Sequence, residues 1–275
     1  MPVRTVVHLS DIHFGRADPS VVAEVIRSVH EIRPDVVAVS GDLTQRARKH
    51  EYQQARDFLD ALPKPSIVVP GNHDIPLHNL YHRFYRALDN YRHYITEDLE
   101  PFYRDETMAI LGLNTARSLT VKGGRINEEQ ISRIAEHFAA LPEELTKILV
   151  THHPFDLPST FERRDLVGRA PAAMLSLARC GVDLLLAGHF HVSHSGPTSV
   201  RYNTGGYSAV FVQAGTACST RERGERNSFN VIRADSDTIE VEVLSTEPDN
   251  VFRSASVETF QYTPVGWIRR PAPPA

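Results

Sequence analysis

The stretch Ile67-Val68-Val69-Pro70-Gly71-Asn72-His73-Asp74 places a short apolar run directly before an amide, an imidazole and a carboxylate. A short run of branched apolar residues is typical of a buried strand. Ligands of open α/β sheets bind at the carboxyl ends of the strands. The stretch therefore predicts a buried strand whose end carries functional groups.

The same arrangement occurs four more times along the chain. Apolar runs at 5–9, 36–39, 148–150 and 184–187 precede Asp11-Ile12-His13, Gly41-Asp42, His152-His153 and Gly188-His189-Phe190-His191. Helical spacing of apolar residues at 21–32, 50–62, 128–141 and 172–180 separates the strands. This alternation of strands and helices indicates an α/β fold with the site at the strand ends.

The last third of the sequence has a different pattern. Strands predicted at 207–213, 228–233 and 238–244 follow one another with turns between them, which favours a second, more antiparallel sheet. The segment 264–275 is rich in proline, and we expect it to leave the core as a tail although it contains Trp267. The sequence thus predicts one domain over 1–263, followed by the tail 264–275.

The segment 75–106 interrupts the alternation. Leu77, Leu80, Phe84, Leu88 and Tyr91 fall at helical spacing and predict a helix with one apolar face. Because the segment follows His73, one interpretation is a cap over the site, and the other is a packed amphipathic helix with a solvated polar face. The side chains that would contact an anionic substrate under a cap are His78, His82, Arg83 and Arg86.

The composition limits the classes of partner and compartment. A net charge of −4 and a pI near 6.4 give no general attraction to nucleic acid, so we expect no strong nucleic-acid binding. No apolar run approaches the length of a membrane span, and the first strand begins without an apolar leader. The two cysteines suggest no disulfide framework, so a cytoplasmic location is predicted.

The five motifs together offer carboxylate, amide and imidazole ligands. Mixed nitrogen and oxygen ligands suit Mn, Fe, Zn or Ni, whereas Mg and Ca prefer oxygen throughout. Two such ions about 3.5–4 Å apart can neutralise phosphoryl oxygens and lower the pKa of a bound water to about 7. The motifs therefore predict a two-metal site, with Mn or Fe as the expected ions and Zn as an alternative.

The ordered series DxH, GD, GNHD, His-His and GHxH over residues 11–191 resembles the calcineurin-like metallophosphoesterases. The resemblance implies a four-layer α-β-β-α sandwich with two mixed sheets. It assigns one metal to Asp11, His13 and His191, the second metal to Asn72, His152 and His189, and the bridge between them to Asp42. It also implies that His73 is not a ligand and instead contacts the phosphate or protonates the leaving oxygen.

Departures from subfamily patterns narrow the resemblance. Leu43-Thr44-Gln45-Arg46 replaces the continuation found in Ser/Thr protein phosphatases, and Gln45 and His13 replace the tyrosine and glycine of purple acid phosphatases. The related DNA nucleases share the metal ligands, but this sequence shows no evident DNA-binding extension and no basic balance of charge. What remains resembles the class III cyclic nucleotide phosphodiesterases.

The predicted activity is hydrolysis of small phosphodiesters, cyclic nucleotides among them. Metal-bound hydroxide would attack phosphorus while Asn72 and the ions stabilise the developing charge. The alternatives are a nucleotide or lipid pyrophosphatase, a phospholipid-headgroup diesterase, and a metal-stabilised interaction scaffold without turnover.

Three further features are left open by the sequence. Asp74 and His153 adjoin predicted ligands and would either orient them or serve a structural role. The loop 219–227 contains Arg221, Arg223 and Arg226 among glutamates, which favours a solvated loop over contacts with a substrate or a second subunit. A homodimer is compatible with the sequence.

Overall fold

Two mixed β-sheets form the centre of the computed structural model, which describes residues 2–77, 79–120, 122–158, 161–202, 204–220 and 226–271. The strands in chain order are β1 (Arg4–Leu9), β2 (Val36–Val39), β3 (Ser66–Val68), β4 (Phe102–Arg104), β5 (Met108–Leu113), β6 (Thr146–Thr151), β7 (Leu184–Ala187), β8 (His194–Pro197), β9 (Val210–Gln213), β10 (Ser228–Ala234), β11 (Thr238–Thr246), β12 (Phe252–Thr263) and β13 (Gly266–Arg269). The first sheet has the order β13-β12-β11-β10-β1-β2-β3, and the second has the order β4-β5-β6-β7-β9-β8.

Four of the helices in the described chain connect strands of the same sheet, and two short ones lie where the chain crosses from the first sheet to the second. The helices are α1 (Pro19–Ile32), α2 (Lys49–Ala61), α3 (Leu80–Tyr85), α4 (Asp89–Tyr94), α5 (Glu128–Phe138) and α6 (Ala170–Cys180). Asp18 caps α1 by accepting from the Ser20 N–H, and Asn127 caps α5 by accepting from the Gln130 N–H. In the described part of the chain, no helix has the length and apolar character required to cross a membrane.

Three apolar clusters show how the layers pack. Successive residues of a strand point to opposite faces, so Val6 and Val7 enter different clusters. Val6 packs between the two sheets with Ile148, whereas Val7 packs with residues of α1 and α2. Leu149 lies on the outer face of the second sheet, in a cluster with residues of α5 and α6. The layers therefore run helices, sheet, sheet, helices, and the predicted α/β fold with two mixed sheets is confirmed.

The central strands of each sheet are parallel, which places their carboxyl ends at one edge. β1, β2 and β3 pair in parallel register, with Val6 opposite Val36 and Val37 opposite Ser66. β5, β6, β7 and β9 also pair in parallel. The polar residues that follow these strands are thereby collected on one side of the molecule.

The predicted separate antiparallel sheet is wrong. β10 pairs antiparallel with β1, with Ile232 opposite Val6, so the C-terminal hairpins extend the first sheet. The strand predicted at 207–213 contributes β9, which joins the second sheet parallel to β7. Apolar patterning identified these strands, but it carries no information on which neighbour a strand pairs with.

The predicted tail from residue 264 is also wrong in its first part. β13 pairs with β12 at the edge of the first sheet, and Trp267 is only 2% exposed. The Trp267 indole N–H donates to Asp183 Oδ1 at 2.9 Å. Gly266, with a φ of +87°, permits the turn that returns the chain to the sheet. Burial of one large aromatic ring outweighs the proline-rich composition, and residues 272–275 lie outside the described chain.

The segment 75–106 does not form one amphipathic helix. α3 and α4 are separate short helices, and only part of the predicted apolar face is covered. Tyr91 is fully buried, whereas Leu80 is 65% exposed and Phe84 is 49% exposed. Helical spacing thus predicts helical residues here, but the described part of the chain leaves the apolar side of α3 exposed.

Candidate metal centre

Seven predicted metal ligands meet where the carboxyl edges of the two sheets adjoin. They follow five strands: Asp11 and His13 after β1, Asp42 after β2, Asn72 after β3, His152 after β6, and His189 and His191 after β7. Five of them are nearly inaccessible to solvent: Asp11, His13, Asp42, His152 and His191. Buried charged and imidazole groups require partners, so the clustering of these side chains indicates a site for a bound ion.

Asp11, His13 and His191 form one group whose ligand atoms converge. The Nε2 atoms of His13 and His191 are 3.2 Å apart, and His191 Nε2 lies 3.1 Å from Asp11 Oδ1. Among the described residues, no donor forms a hydrogen bond of good geometry with Asp11 Oδ1. A buried carboxylate oxygen beside two imidazole nitrogens fits a divalent or trivalent cation.

A second group forms around His152. Its Nε2 lies 3.1 Å from Asn72 Oδ1 and 3.3 Å from His189 Nδ1. Its other nitrogen, Nδ1, lies 2.8 Å from the Ser40 carbonyl oxygen, which fixes the ring and directs Nε2 towards the group. These atoms fit a second cation with nitrogen and oxygen ligands.

Asp42 lies between the two groups. Its Oδ2 is 3.8 Å from His13 Nε2 and 3.4 Å from His152 Nε2. Its Oδ1 accepts a hydrogen bond of 2.8 Å from the His73 N–H, so the carboxylate is held in one orientation. One oxygen between two ligand groups is the position that a bridging carboxylate requires.

The charge states of the carboxyl and imidazole groups in the two ligand groups favour the binding of cations. Burial opposes ionisation of Asp11 and Asp42, but neighbouring imidazoles hold both carboxyl pKa values below the usual range. Burial and the charge of His152 lower the pKa of His189 to about 3. Burial would lower the pKa of His152 too, but Asp42 raises it to about 9. Without metal, the proton on His152 occupies the place that a cation would take.

Five of the seven predicted ligand residues have positive φ angles. Asp11, His13, Asp42, His189 and His191 have φ values of +53°, +54°, +53°, +84° and +62°. This left-handed region costs non-glycine residues energy and is concentrated at functional sites. The strained turns let side chains two residues apart, such as those of Asp11 and His13, face the same group. Sequence patterns gave no sign of this strain.

Side chains of neighbouring strands lie so close to Gly71 and Gly188 that no larger residue fits at either position. A Cβ atom at Gly71 would overlap the carboxylate of Asp42, and one at Gly188 would overlap the Ser10 hydroxyl. The glycines of the GNHD and GHFH motifs therefore leave room for the ligands of neighbouring strands.

His73 lies beside the ligands without entering either group. Its Nδ1 is 2.9 Å from the Gln45 carbonyl oxygen, and its ring packs edge-on against His13 with centroids 4.9 Å apart. It also lines the cavity in front of the site. This position is compatible with the predicted contact to a phosphate.

Asp74 ties together the turns that carry two of the motifs. It accepts hydrogen bonds from the backbone N–H groups of Gly71, Leu43 and Thr44 at 2.9, 3.2 and 2.9 Å. Its carboxylate thus connects the turn after β2 with the turn after β3. It acts on Asp42 and Asn72 through their backbone.

His153 offers an alternative to Asn72 in the second group. Its ligand atoms, with those of His152 and His189, lie within 4.8 Å of one another. However, its Nδ1 is 2.9 Å from Thr115 Oγ1 and its Nε2 is 3.1 Å from the Lys122 carbonyl oxygen. Because both ring nitrogens have other partners, we assign His153 to holding the Lys122 loop beside the site.

A cavity of about 460 Å³ opens in front of the ligands. It is lined by Asp42, Gln45, Arg46, Asn72, His73, Ile75, Leu77, Lys122, Gly123, Arg164, Asp165, His189, Phe190 and His191. Sequence analysis did not select Arg46, Lys122, Arg164 or Phe190 as site residues. Arg46 and Phe190 are adjacent to motifs that could have drawn attention to them, whereas Lys122 and Arg164 come from loops without a motif.

The residues expected to contact substrate from a cap lie elsewhere. Arg83 is buried and donates to the carbonyl oxygens of Thr120 and Pro76 at 2.5 and 3.4 Å. Arg86 pairs with Asp89 at 2.5 Å on the surface, and His82 is half-buried. His82, Arg83 and Arg86 are not among the described residues that line the cavity, and His78 lies outside the described chain.

The arginine-containing loop is described only at its ends. Arg226 pairs with Glu247 at 2.8 Å on the surface, in line with a solvated loop. Arg221 and Arg223 lie outside the described residues. Cys218 is fully buried and burial raises its pKa, so it packs as a small apolar residue.

Comparison with known proteins identifies the family. A family model described as calcineurin-like phosphoesterase matches residues 4–193, and the chain belongs to this family. A glycerophosphodiester phosphodiesterase of Enterobacter lignolyticus is 38% identical over 78 residues, which cover 24% of this chain and 28% of that protein. A cAMP/cGMP dual specificity phosphodiesterase of Mycobacterium tuberculosis is 26% identical over 273 residues, covering 86% of this chain and 78% of that protein.

The solved structures show the same fold. A dimetal phosphatase from Danio rerio superposes with a TM-score of 0.66 at 14% identity, covering 96% of this chain and 100% of that one. The family model over residues 4–193 confirms the predicted family, and the solved structure shows the same fold. The chain spans little more than a quarter of the length of the Enterobacter relative, so that relative's activity does not transfer to it directly.

Proposed function

We propose that this calcineurin-like phosphoesterase hydrolyses small phosphodiesters, cyclic nucleotides first among them, with two metal ions bound at the strand ends. The observation that carries the proposal is the position of Asp42 Oδ2, 3.8 Å from His13 Nε2 and 3.4 Å from His152 Nε2. One carboxylate within reach of two mixed ligand groups supports a dinuclear site. Mn and Fe are the proposed ions, with Zn as the alternative.

The ligand assignments follow the two groups. Asp11, His13 and His191 would hold one ion, Asn72, His152 and His189 the other, and Asp42 both. Bound ions would supply a water of low pKa and neutralise charge on the phosphoryl oxygens. Asp42 would keep the spacing of the ions fixed, because the His73 N–H holds its second oxygen.

Asn72 and His73 would act on the substrate itself. The Asn72 amide lines the cavity and would donate through its nitrogen to a phosphoryl oxygen while its oxygen faces the second ion. The contact of His73 Nδ1 with the Gln45 carbonyl favours the tautomer with a proton on Nδ1. In the doubly protonated form, His73 would use Nε2–H to protonate the departing oxygen.

The cavity supports a small anionic substrate. A volume of about 460 Å³ accommodates a mononucleotide-sized molecule. Arg46, Lys122 and Arg164 supply positive charge, and Phe190 supplies an apolar wall on which a base could pack. The cAMP/cGMP phosphodiesterase of Mycobacterium tuberculosis, matched over most of both chains, agrees with this choice.

A headgroup diester is the second candidate substrate. The relative matched at 38% identity is a glycerophosphodiester phosphodiesterase. A substrate does not need an aromatic base to fit the cavity. Glycerophosphodiesters carry the same phosphodiester group on a smaller, more polar alcohol. The two candidates therefore differ in their use of the Phe190 wall.

A substrate panel on metal-reconstituted protein tests the proposal. We expect turnover of 3',5'-cyclic nucleotides above 2',3'-cyclic nucleotides, glycerophosphodiesters and monoesters. Phe190→Leu should raise KM for cyclic nucleotides and leave KM for a glycerophosphodiester unchanged. Protein that holds two ions and turns over none of the diesters would instead be a metal-stabilised scaffold.

A further inference from the structure

An exposed apolar surface adjoins the mouth of the candidate metal site. Leu80, Tyr81, Phe84 and Tyr85 lie on one side of α3, and their exposed fractions range from 49% to 80%. Leu77, just before α3, is 38% exposed and lines the cavity in front of the ligands. Contiguous exposed apolar side chains of this kind mark an interaction site.

A second loop brings another apolar residue to the same place. The buried guanidinium of Arg83 donates to the Thr120 carbonyl and to the Pro76 carbonyl, which connects α3 to that loop. Leu119, next to Thr120, is 85% exposed. Arg83 therefore has a structural task, holding the apolar residues of both segments at one surface.

The charge of the surrounding segments is one-sided. We call residues 45–50, 77–88 and 115–126 the rim. The rim contains eight of the chain's 30 Lys and Arg and none of its 34 Asp and Glu. Arg48, Lys49 and Lys122 are exposed, and the segment 45–50 contacts α4 through the bond from Asn90 Nδ2 to the Ala47 carbonyl. Arg83 is buried and Arg86 pairs with Asp89, so a chain of net charge −4 presents five exposed cations of the rim beside the apolar patch. They are Arg46, Arg48, Lys49, Lys122 and Arg125.

We infer that the rim binds an anionic lipid surface, with the α3 side chains in the headgroup region and the basic residues on the lipid phosphates. Apolar and aromatic side chains beside Lys and Arg are the composition of helices that lie in a membrane interface. The absence of acidic residues throughout the rim complements a negative surface. The contact would turn the mouth of the cavity towards the lipid headgroups, because Leu77 belongs to both.

Vesicle binding of the full chain tests the inference without reference to activity. The probes are vesicles of equal parts phosphatidylglycerol and phosphatidylcholine, and vesicles of phosphatidylcholine alone. We expect partitioning onto the first that weakens with added salt, and little onto the second. Each cation removed should weaken binding about fivefold.

Two double variants and a control locate the contact. Leu80→Ser with Phe84→Ser should lower partitioning at least about tenfold, since it removes two apolar side chains that would enter the headgroup region. Arg48→Gln with Lys49→Gln tests the charge separately and keeps the inference testable if the first variant is unstable. The control is Leu175→Ser with Arg179→Gln, a matched exposed pair on α6, which should bind like the wild type.

Three outcomes would overturn the inference. Equal partitioning of the rim variants and the α6 control would place the contact elsewhere. No partitioning by the wild type would exclude a lipid surface. A stable dimer that the Leu80→Ser, Phe84→Ser variant converts to a monomer, without vesicle binding, would show that a second copy of the chain covers the surface.

Discussion

The two ends of the central parallel strands treat buried acidic groups in opposite ways. At the carboxyl ends of the strands, neighbouring imidazoles keep the pKa values of Asp11 and Asp42 low. At the start of β7, the carboxyl of Asp183 accepts from the Lys147 N–H and the Trp267 indole, and burial raises its pKa to about 6. Both ends bury carboxylates, but only one surrounds them with groups that favour the charged form.

This contrast separates a site for ions from a structural tie. Ionised carboxylates among mostly neutral imidazoles attract cations, whereas Asp183 fastens β13 to the second sheet through Trp267. The same type of residue serves ion binding at one end and strand docking at the other. Substitutions made in parallel at the two ends should therefore differ in their readout.

The largest effect is expected at Asp42. Asp42→Asn keeps the shape of the side chain and removes the charge shared by both ligand groups, so activity should fall by about a thousandfold or more. Metal content, measured by mass spectrometry, should fall with it. Asp183→Asn is the matched control and should keep both ions and full activity. Full metal content and activity in Asp42→Asn would contradict the bridging role.

His73 should show a large loss of activity without loss of metal. His73→Ala is expected to retain both ions and lose about a hundredfold to ten-thousandfold in rate on alkyl esters. The loss should be smaller on activated aryl esters, whose leaving group departs without a proton. Rates plotted against leaving-group pKa measure this difference.

His194→Gln, three residues after His191, serves as the control histidine and should leave metal content and rates unchanged. An equal loss for all leaving groups would assign His73 to phosphate positioning. Loss of one ion from His73→Ala would make His73 a ligand.

Asp183 should make stability depend on pH in a definite direction. Its folded pKa of about 6 lies above the ordinary value of 3.8, so the folded chain holds the proton more tightly than the unfolded chain. The protonated carboxyl of Asp183 stabilises the folded chain below about pH 4, and this stabilisation is lost as the pH rises through about 6. The free energy of unfolding should fall by about 2 kcal/mol after allowance for partial exposure. Chemical unfolding of metal-free wild type and Asp183→Asn at pH 4 and pH 6 measures it. An equal change in both proteins would disprove the assignment.

The smallest expected effect is at Trp267. Trp267→Phe keeps most of the buried ring and removes the donor to Asp183, which should lower the free energy of unfolding by about 1 kcal/mol. The control Tyr262→Phe changes a ring that is 53% exposed and should stay within about 0.5 kcal/mol of the wild type. A change confined to the control would show that β13 is not held through Asp183.

Strands and the polar residues that follow them could be predicted from the sequence, but the pairing of the strands with one another could not. Apolar runs followed by polar residues marked β1, β2, β3, β6 and β7, because burial on both faces leaves a continuous apolar signal. The same signal could not show that β10 pairs with β1. It also could not reveal that Trp267 packs under the edge of the sheet, since a proline-rich context is typical of exposed chain.

The ligand groups were easier to predict than the walls of the cavity. Each ligand directly follows a strand, so the topology of parallel strands brings them together. Lys122 and Arg164 reach the cavity from loops whose course depends on contacts such as that between His153 Nε2 and the Lys122 carbonyl. The position of Arg83 in the segment after His73 suggested a substrate contact, but its guanidinium donates to two carbonyl groups instead.

The ligands follow five strands and are spread from residue 11 to residue 191. Ions held by them would connect stretches that are far apart in the sequence, and they would stabilise the folded chain because they bind it and not the unfolded chain. The groups do not exist before the strands have paired, so loading would follow folding. Bound ions would connect residues of both sheets and stabilise the folded chain. Removal of the ions by a chelator should therefore lower the thermal midpoint of unfolding.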